Sequence, residues 1–416
     1  MSTLDGRDAR RARVAVSALF LVNGALIANV LPRLPAIKAQ LELTNAALGT
    51  AVAAMPVGGL LAGAAAGVLI VRYSSRRVTV GTGVAFGLSL ASIGLAPSWL
   101  ALAAAFLVLG MLDAIMDAAM NAHGIAVQRR YGRSILHGFH GWWSAGTLLG
   151  AAMGALAAAL GVPLAVHLAI VGAALAVVCV AALPLLLPDR ALDAPEPGDR
   201  DASATGGRSG AGWRGVRLLR LMAPFALIGV LGVMLEDAAS TWSTIYLTEV
   251  LGATVGVAAL AVVLYTAGMT IGRLTNDRWI DRWGETAVGR GGALLACLGL
   301  VLVVVAGTWA AVPLAAIAFG LVGLGTSPLF PIMISAAGSV PGVPPGQGVA
   351  LVAWLARGGF VIAPIFVGVA ADAVGLGAAL LIPLVAGMTV ALLMGTLLAS
   401  SGRGARSRAH AVIVDA

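Results

Sequence analysis

The chain is short of charge. Only 11 % of its 416 residues are Asp, Glu, Lys or Arg, where a soluble domain carries roughly 25 %, so it lacks the polar surface to cover itself in water. Lysine is nearly missing, with Lys38 the only one. That excludes a G-x-x-x-x-G-K phosphate loop, which needs a lysine behind its second glycine, and ATP is not expected as the energy source. Cysteine is scarce too. Cys179 and Cys297 sit in apolar runs without CxxC spacing or a histidine neighbour, so they read as inert packing thiols. No metal-ligand cluster and no nucleophile–base pair is legible. The sequence therefore points away from an enzyme, and no cofactor or metal is expected.

Apolar residues dominate instead, at 60 % with a mean hydropathy of +0.98. About 20 of them cross a bilayer as a helix. Runs of that size fall near 14–35, 46–71, 78–97, 99–126, 137–160 and 163–187, then near 218–247, 254–280, 288–307, 310–337, 347–371 and 375–399. The first follows Arg10, Arg11 and Arg13, as a signal peptide would, but it is too long for an h-region and has many successors; it is expected to stay as the first span. Short connections make successive helices antiparallel. The stretch 188–217, acidic and then Gly/Ser/Arg-rich, reads as a solvated linker. The expected organisation is a leader at 1–13, a six-helix bundle at 14–187, the linker, a second bundle at 218–400 and a tail at 401–416.

Arginine placement gives the orientation. With the N-terminus inside, the cytoplasmic segments receive Arg7, Arg10, Arg11 and Arg13; Arg72, Arg76 and Arg77; Arg129, Arg130 and Arg133; and Arg190, Arg200, Arg208, Arg214, Arg217 and Arg220. Arg278, Arg282 and Arg290 and then Arg403, Arg406 and Arg408 complete the set. Of 26 basic residues only Arg33, Lys38, Arg273 and Arg357 fall elsewhere. The pI near 10.6 is thus a topology signal, and nucleic acid is not an expected partner. Both termini are expected inside a bacterial plasma (inner) membrane; the arginine-for-lysine bias fits a high-GC bacterial source.

A repeat is also visible. Gly67 to Arg77 follows the second span, Asp277 to Gly284 follows the eighth, and the two align at an offset of 210 residues. Two parallel six-helix halves follow from this.

With these motifs the chain resembles the major facilitator superfamily. The G-x-x-x-D-R-x-G-R-R signature appears as Gly67…Arg72-Tyr73-Ser74-Ser75-Arg76-Arg77, and its counterpart as Asp281-Arg282-Trp283-Gly284 behind Gly272-Arg273. Three stretches are similar to the fucose permease-like branch and its bacterial inner-membrane relatives: Asp117 to Asn121, His137 to Gly150, and Gly325 to Pro331. Departures stand beside the likeness. Val71 replaces the signature acid and Ser74 its glycine, span 5 lacks the proline-containing motif of drug/proton antiporters, and Asn29 lies near the missing first-span carboxylate. The resemblance implies a cytoplasmic gate at Arg72, Arg76, Arg273, Asp281, Arg282 and Gly284, with an acid latch credible only at Asp281.

A charge at the bilayer midplane costs at least ~2.5–3.5 kcal/mol, so each one asks for a reason. Asp113, Asp117 and Asn121 share a face of span 4, and Asp117 lies roughly 15–18 Å from the basic turn at Arg129. The branch resemblance places its proton-linked glutamate at Asp117, the first candidate for coupling, with Asp113, Glu236 and Asp237 after it. Glu236 and Asp237 are adjacent and point about 100° apart, so both cannot line one cavity equally. Arg357 either binds an anionic or hydroxylated substrate or neutralises an acid. Further candidates for substrate contact are Asn23, Asn29, Asn121, His140, Trp142, Trp242 and Trp354. His123 and His167 are expected to pack, and His137 sits with His140 at the start of span 5, where His140 either relays protons or makes an interfacial hydrogen bond. The glycines at 141, 146, 150 and 154 suggest close helix approach, and Gly325, Pro328 and Pro331 an interruption of span 10.

The function expected from these features is secondary, proton-coupled symport of a small, sugar-like solute by alternating access. Proton-antiport efflux of an amphiphilic compound and a non-transporting membrane sensor are the alternatives. A monomer is the family default.

Overall fold

The computed structural model describes residues 6–131, 135–188, 211–340, 343 and 345–395. The body of the expected linker (189–210), the expected tail and the side chain of His137 lie outside the described residues.

Among the described residues the structure is helical throughout, with no strand. Span 1 is α1 (Gly6–Ala28), continued after a 3-10 turn at Leu31–Arg33 by α2 (Leu34–Gln40). Then come α3 (Asn45–Tyr73), α4 (Ser75–Ser89) with the one-turn α5 (Ala91–Gly94), α6 (Trp99–Tyr131), α7 (Leu136–Ala159) and α8 (Leu164–Ala182). Span 7 is α9 (Ala211–Ser240) followed by α10 (Ser243–Glu249). Next are α11 (Val255–Trp283), α12 (Glu285–Thr308), and span 10 as α13 (Val312–Thr326) and α14 (Leu329–Gly338). Span 11 is α15 (Pro345–Val374); α16 (Leu376–Ala379) and a helix over 381–395 make span 12. By length and hydropathy 11 stretches can cross a membrane. The twelfth, α7, has 24 residues, but its histidines, tryptophans and glycines dilute its hydropathy.

Span 10 breaks where the sequence placed Gly325 and Pro328. Proline has no N–H to continue the ladder, so α13 stops at Thr326 and α14 restarts at Leu329. Ser327 fills the gap: its hydroxyl donates to the Leu324 carbonyl, and Asn276 of α11 donates to Ser327 Oγ at 3.1 Å.

The repeat is written in helix crossings. A Cβ on Gly58 of α3 would fall onto the Leu107 carbonyl of α6, and one on Gly110 onto the Met55 carbonyl. In the second half a Cβ on Gly268 of α11 would meet the Gly320 carbonyl of α13, and one on Gly323 that of Tyr265. These positions correspond at offsets of 210 on the first helix of each pair and 213 on the second. Both cysteines sit at equivalent glycine contacts: Cys179 Sγ against Gly83 and Cys297 Sγ against Gly387. On α7, Gly146 and Gly150 abut the Leu21 and Ala25 carbonyls of α1, but Gly141 has open space, so it belongs to no close crossing.

The residues cluster into two compact units. One comprises 1–30, 54–150 and 162–221; the other comprises 31–53, 151–161 and 222–416. The first lies almost wholly in the first half of the chain, and the second adds the end of span 1, the start of span 2 and the end of span 5 to the second half.

The turns closing spans 2 and 8 also match. Ser74 has φ 73° and ψ 150°, and Gly284, 210 residues on, has φ 80° and ψ 157°. This region belongs to glycine, and a side chain there is strained by about 1–3 kcal/mol. Ser74 recovers little of it, its hydroxyl capping Arg77 N at 3.5 Å. Ser74→Gly should therefore raise the unfolding midpoint of the detergent-solubilised protein, worth about 1 kcal/mol, and Gly284→Ser should lower it. Equal midpoints for both variants would show that the turn carries no strain.

Candidate functional site

In the first unit, one amide ties three helices together. Asn23 of α1 is 2 % exposed. Its Nδ2 donates to Asp113 Oδ1 of α6 at 2.8 Å, and its Oδ1 accepts from Trp143 Nε1 of α7 at 2.9 Å. An amide suits this junction because it donates and accepts at once. One turn along α6, Asn121 Nδ2 donates to Asp117 Oδ1 at 3.0 Å and to the Asp117 carbonyl at 2.9 Å. Because α6 runs on to Tyr131, Asp117 lies about 21 Å from that end, well inside the span. The sequence reading chose Trp142 of the tryptophan pair and missed Trp143, whose indole makes the network bond; nothing in the local sequence separates the two.

Trp142 is 50 % exposed and lines a cavity of about 480 Å³ with Arg10, Arg13, Ser17, Leu21 and Tyr131. Arg13 donates to the Tyr131 hydroxyl at 2.9 Å and lies over its ring. His140 makes an edge contact with Phe20, which stacks on Phe139.

Two expected cavity residues are sealed in the interior instead. Asn29 is fully buried, donating to the Ala25 carbonyl at 2.7 Å and meeting His167 Nε2 at 3.2 Å; it fastens the end of α1 to α8. Trp242 is 0 % exposed, folded inward where α9 gives way to α10. Both are large or polar groups placed at helix breaks, where packing claims them.

In the second unit, Glu236 and Asp237 of α9 part as adjacent residues must. Glu236 lines a cleft of about 10 Å³, room for about one water, between Gly232 and Val233 of α9 and Thr326, Leu329 and Phe330 at the span 10 break. Asp237 turns into the core at 4 % exposure, accepting from Thr241 Oγ1 at 2.7 Å. Arg273 and Tyr265 of α11 complete the cluster: Arg273 acts electrostatically on Glu236, and Tyr265 lies in the field of both acids. Arg273, expected at the cytoplasmic helix end, thus belongs with the acids of span 7, about 15 Å back from Trp283.

The remaining gate residues do sit at helix ends. Arg76 donates twice to the Leu183 carbonyl, at 3.1 and 2.9 Å, so it ties α4 to the end of α8. Arg72 lies over Tyr73 and Arg282 over Trp283. Asp281 and Gly284 are exposed.

Three polar contacts escaped the sequence reading. Lys38 of α2 forms an ion pair with Glu249 of α10 at 2.6 Å and donates to Asn45 at 2.7 Å. Asp372, near the end of α15, accepts from the Asn45 and Ala46 backbone N–H groups, both at 2.8 Å, capping α3. Glu285 accepts from Ser335 of α14 at 2.8 Å.

Among the described residues no group of His, Cys, Asp and Glu could hold a metal ion. The model of the Major Facilitator Superfamily matches residues 16–342. An uncharacterized transporter, y4wD, of Sinorhizobium fredii is 30 % identical over 86 % of this chain and 90 % of its own. An uncharacterized MFS-type transporter of Yersinia pestis is 30 % identical over 94 % of both chains. In solved structures, the nucleoside transporter NupG superposes with a TM-score of 0.71 at 14 % identity, over 93 % of this chain and 98 % of that one. The D-xylose-proton symporter does so with 0.71 at 14 %, over 93 % and 97 %; at such identity these two likenesses concern the fold. The spans, the duplicated crossings, the basic turns at Arg72–Arg77 and Asp281–Gly284 and these matches agree: the chain is a multi-span membrane protein of the Major Facilitator Superfamily of transporters, not an enzyme.

Proposed function

We propose that the protein is a secondary, proton-coupled symporter of a small polar solute in a bacterial inner membrane, working by alternating access with both termini cytoplasmic. One observation carries the coupling. Three carboxylates inside the spans accept hydrogen bonds from neutral donors: Asp113 from Asn23, Asp117 from Asn121, and Asp237 from Thr241. Each of these bonds comes from a neutral group, and such a bond can rearrange when the acid takes or gives up a proton in a low dielectric. Asp117 is the proposed carrier in the first half; in the second, Asp237 meets the same condition, and Glu236 beside it lines a water-sized cleft with Arg273 in its field.

The expected orientation puts Lys38, Glu249 and Asp372 at the outer face, where they form a latch. Its strength suits a gate: a partly exposed ion pair is worth about 0.2–1 kcal/mol, enough to bias two states and little enough to open.

Proteoliposomes with an imposed pH gradient, screened against sugars and amphiphilic solutes, test the coupling. Wild type should accumulate its substrate. Asp117→Asn should lose gradient-driven accumulation at least tenfold while still exchanging substrate across the bilayer. Accumulation in Asp117→Asn that stays fully gradient-driven would remove Asp117 from coupling, and efflux of the amphiphiles instead would make the protein an antiporter. Movement of no solute under any gradient would leave the sensor reading. For the latch, Lys38→Glu and Glu249→Lys should each slow turnover a few-fold, and the double swap should restore much of it. A double variant as slow as the singles would mean the pair gates nothing.

A further inference from the structure

Arg357 of α15 stands apart from the other charges inside the spans. It is exposed, and among the described residues it makes no hydrogen bond or ion pair. Arg273, the comparable arginine of α11, has Glu236 in its field. The two alternatives that the sequence left open for Arg357 were neutralising an acid and holding a substrate, and no described acid stands beside it.

Its direction follows from the helix. Trp354, Arg357, Val361, Pro364, Gly368 and Asp372 are spaced three or four apart and form one stripe along α15. The C-terminal part of this stripe is clamped to the first turns of α3. A Cβ on Gly49 would strike the Pro364 carbonyl, one on Gly368 would come within 2.6 Å of the Asn45 carbonyl, and Asp372 caps Asn45 and Ala46. A second face, through Ala356 and Gly359, packs on Gly229, Val230 and Val233 of α9. Ile362, Phe366 and Val369 are exposed apolar residues at 41, 58 and 54 %, the composition of a lipid-facing strip. Ile362 follows Arg357 by five residues, before Pro364, and so is turned about 140° from it. Arg357 therefore lies on the same side of α15 as Pro364, Gly368 and Asp372, turned away from the exposed apolar strip, and is itself exposed. Trp354, one turn on, is 57 % exposed on the same stripe.

Resting on the transporter reading above, we infer that Arg357 and Trp354 form the recognition site for an organic carboxylate with a flat, ring-bearing body. A guanidinium offers two parallel N–H donors that match a carboxylate's two oxygens. An exposed indole face next to it offers apolar area for a ring, with stacking geometry. A neutral sugar would offer Arg357 hydrogen-bond acceptors but no opposite charge. The carboxylate also makes sense of proton symport: one co-transported proton cancels the charge of the anion, so the loaded carrier crosses without moving net charge.

Binding and movement are read separately. The full chain, purified in detergent, is heated with benzoate, phenylacetate or cyclohexanecarboxylate at millimolar concentration, and with the matching amides. The expected result is that at least one acid raises the unfolding midpoint and its amide does not. Arg357→Gln, checked for a monodisperse elution profile, should abolish the shift, Arg357→Lys should keep part of it, and Trp354→Leu should weaken it about tenfold in concentration dependence. The inference is overturned if none of the acids stabilises wild type, or if Arg357→Gln retains the full shift. Uptake of the same compounds into proteoliposomes then tests the transporter reading alone. An acid that binds through Arg357 yet never crosses under a proton gradient ends that reading and keeps the site. A neutral solute that crosses while no acid binds keeps transport and ends the site.

Discussion

Everything distinctive in this molecule follows from the cost of a charge in hydrocarbon. Backbone groups are answered by the helices themselves, so the side chains are where the constraint bites. Asp113 takes the amide of Asn23, Asp117 that of Asn121, and Asp237 the hydroxyl of Thr241. Glu236 and Arg273 share a cluster on α9 and α11. Lys38 is answered by Glu249, and the two open backbone donors at the start of α3 by Asp372. Set beside these, Arg357 makes no hydrogen bond or ion pair among the described residues, and the inferred carboxylate would supply one.

The helices that carry these groups are held by contacts with almost no tolerance. Gly58 and Gly110 let α3 and α6 touch backbone to backbone, and Gly268 and Gly323 do the same for α11 and α13. Close crossings of this kind make stiff pairs, because adding even a methyl group requires one helix to move. The helices are interrupted at the breaks in spans 7 and 10, after Ser240 and after Thr326. Glu236 lies one turn before the first break, and its cleft is walled by the second. The Glu236 carboxylate and both helix breaks therefore occupy the same place.

Much of this was legible in the sequence, for physical reasons. Span positions follow from hydrocarbon thickness, and the long runs near 46–71 and 254–280 became α3 and α11 to within a few residues. The basic turns announced the repeat, and Pro328 the break in span 10. The departure at Ser74 proved to be a strained turn beside its relaxed glycine counterpart at Gly284. Partnerships were another matter. Asn23 meets Trp143 across 120 residues, Lys38 meets Glu249 across 211, and Asp372 meets Asn45 across 327. A lone polar residue in an apolar run announces that it needs a partner, but its helix pattern does not say which one. Hence Asn29 and Trp242 read as cavity residues and are packed inside, and the charge of Arg273, read as part of the gate, acts on Glu236 of span 7.

The carboxylate site stands or falls on whether Arg357 faces water and not lipid. Cys179 and Cys297 are both buried, so a cysteine placed at Arg357 is the thiol that a water-soluble reagent would reach. Membrane vesicles bearing Arg357→Cys, treated with a charged, membrane-impermeant maleimide from each side in turn, should label from one side within minutes, as thiolate forms only in contact with water. A cysteine at Phe366, in the exposed apolar strip, should stay unlabelled. Labelling at Phe366→Cys with none at Arg357→Cys from either side would contradict the account.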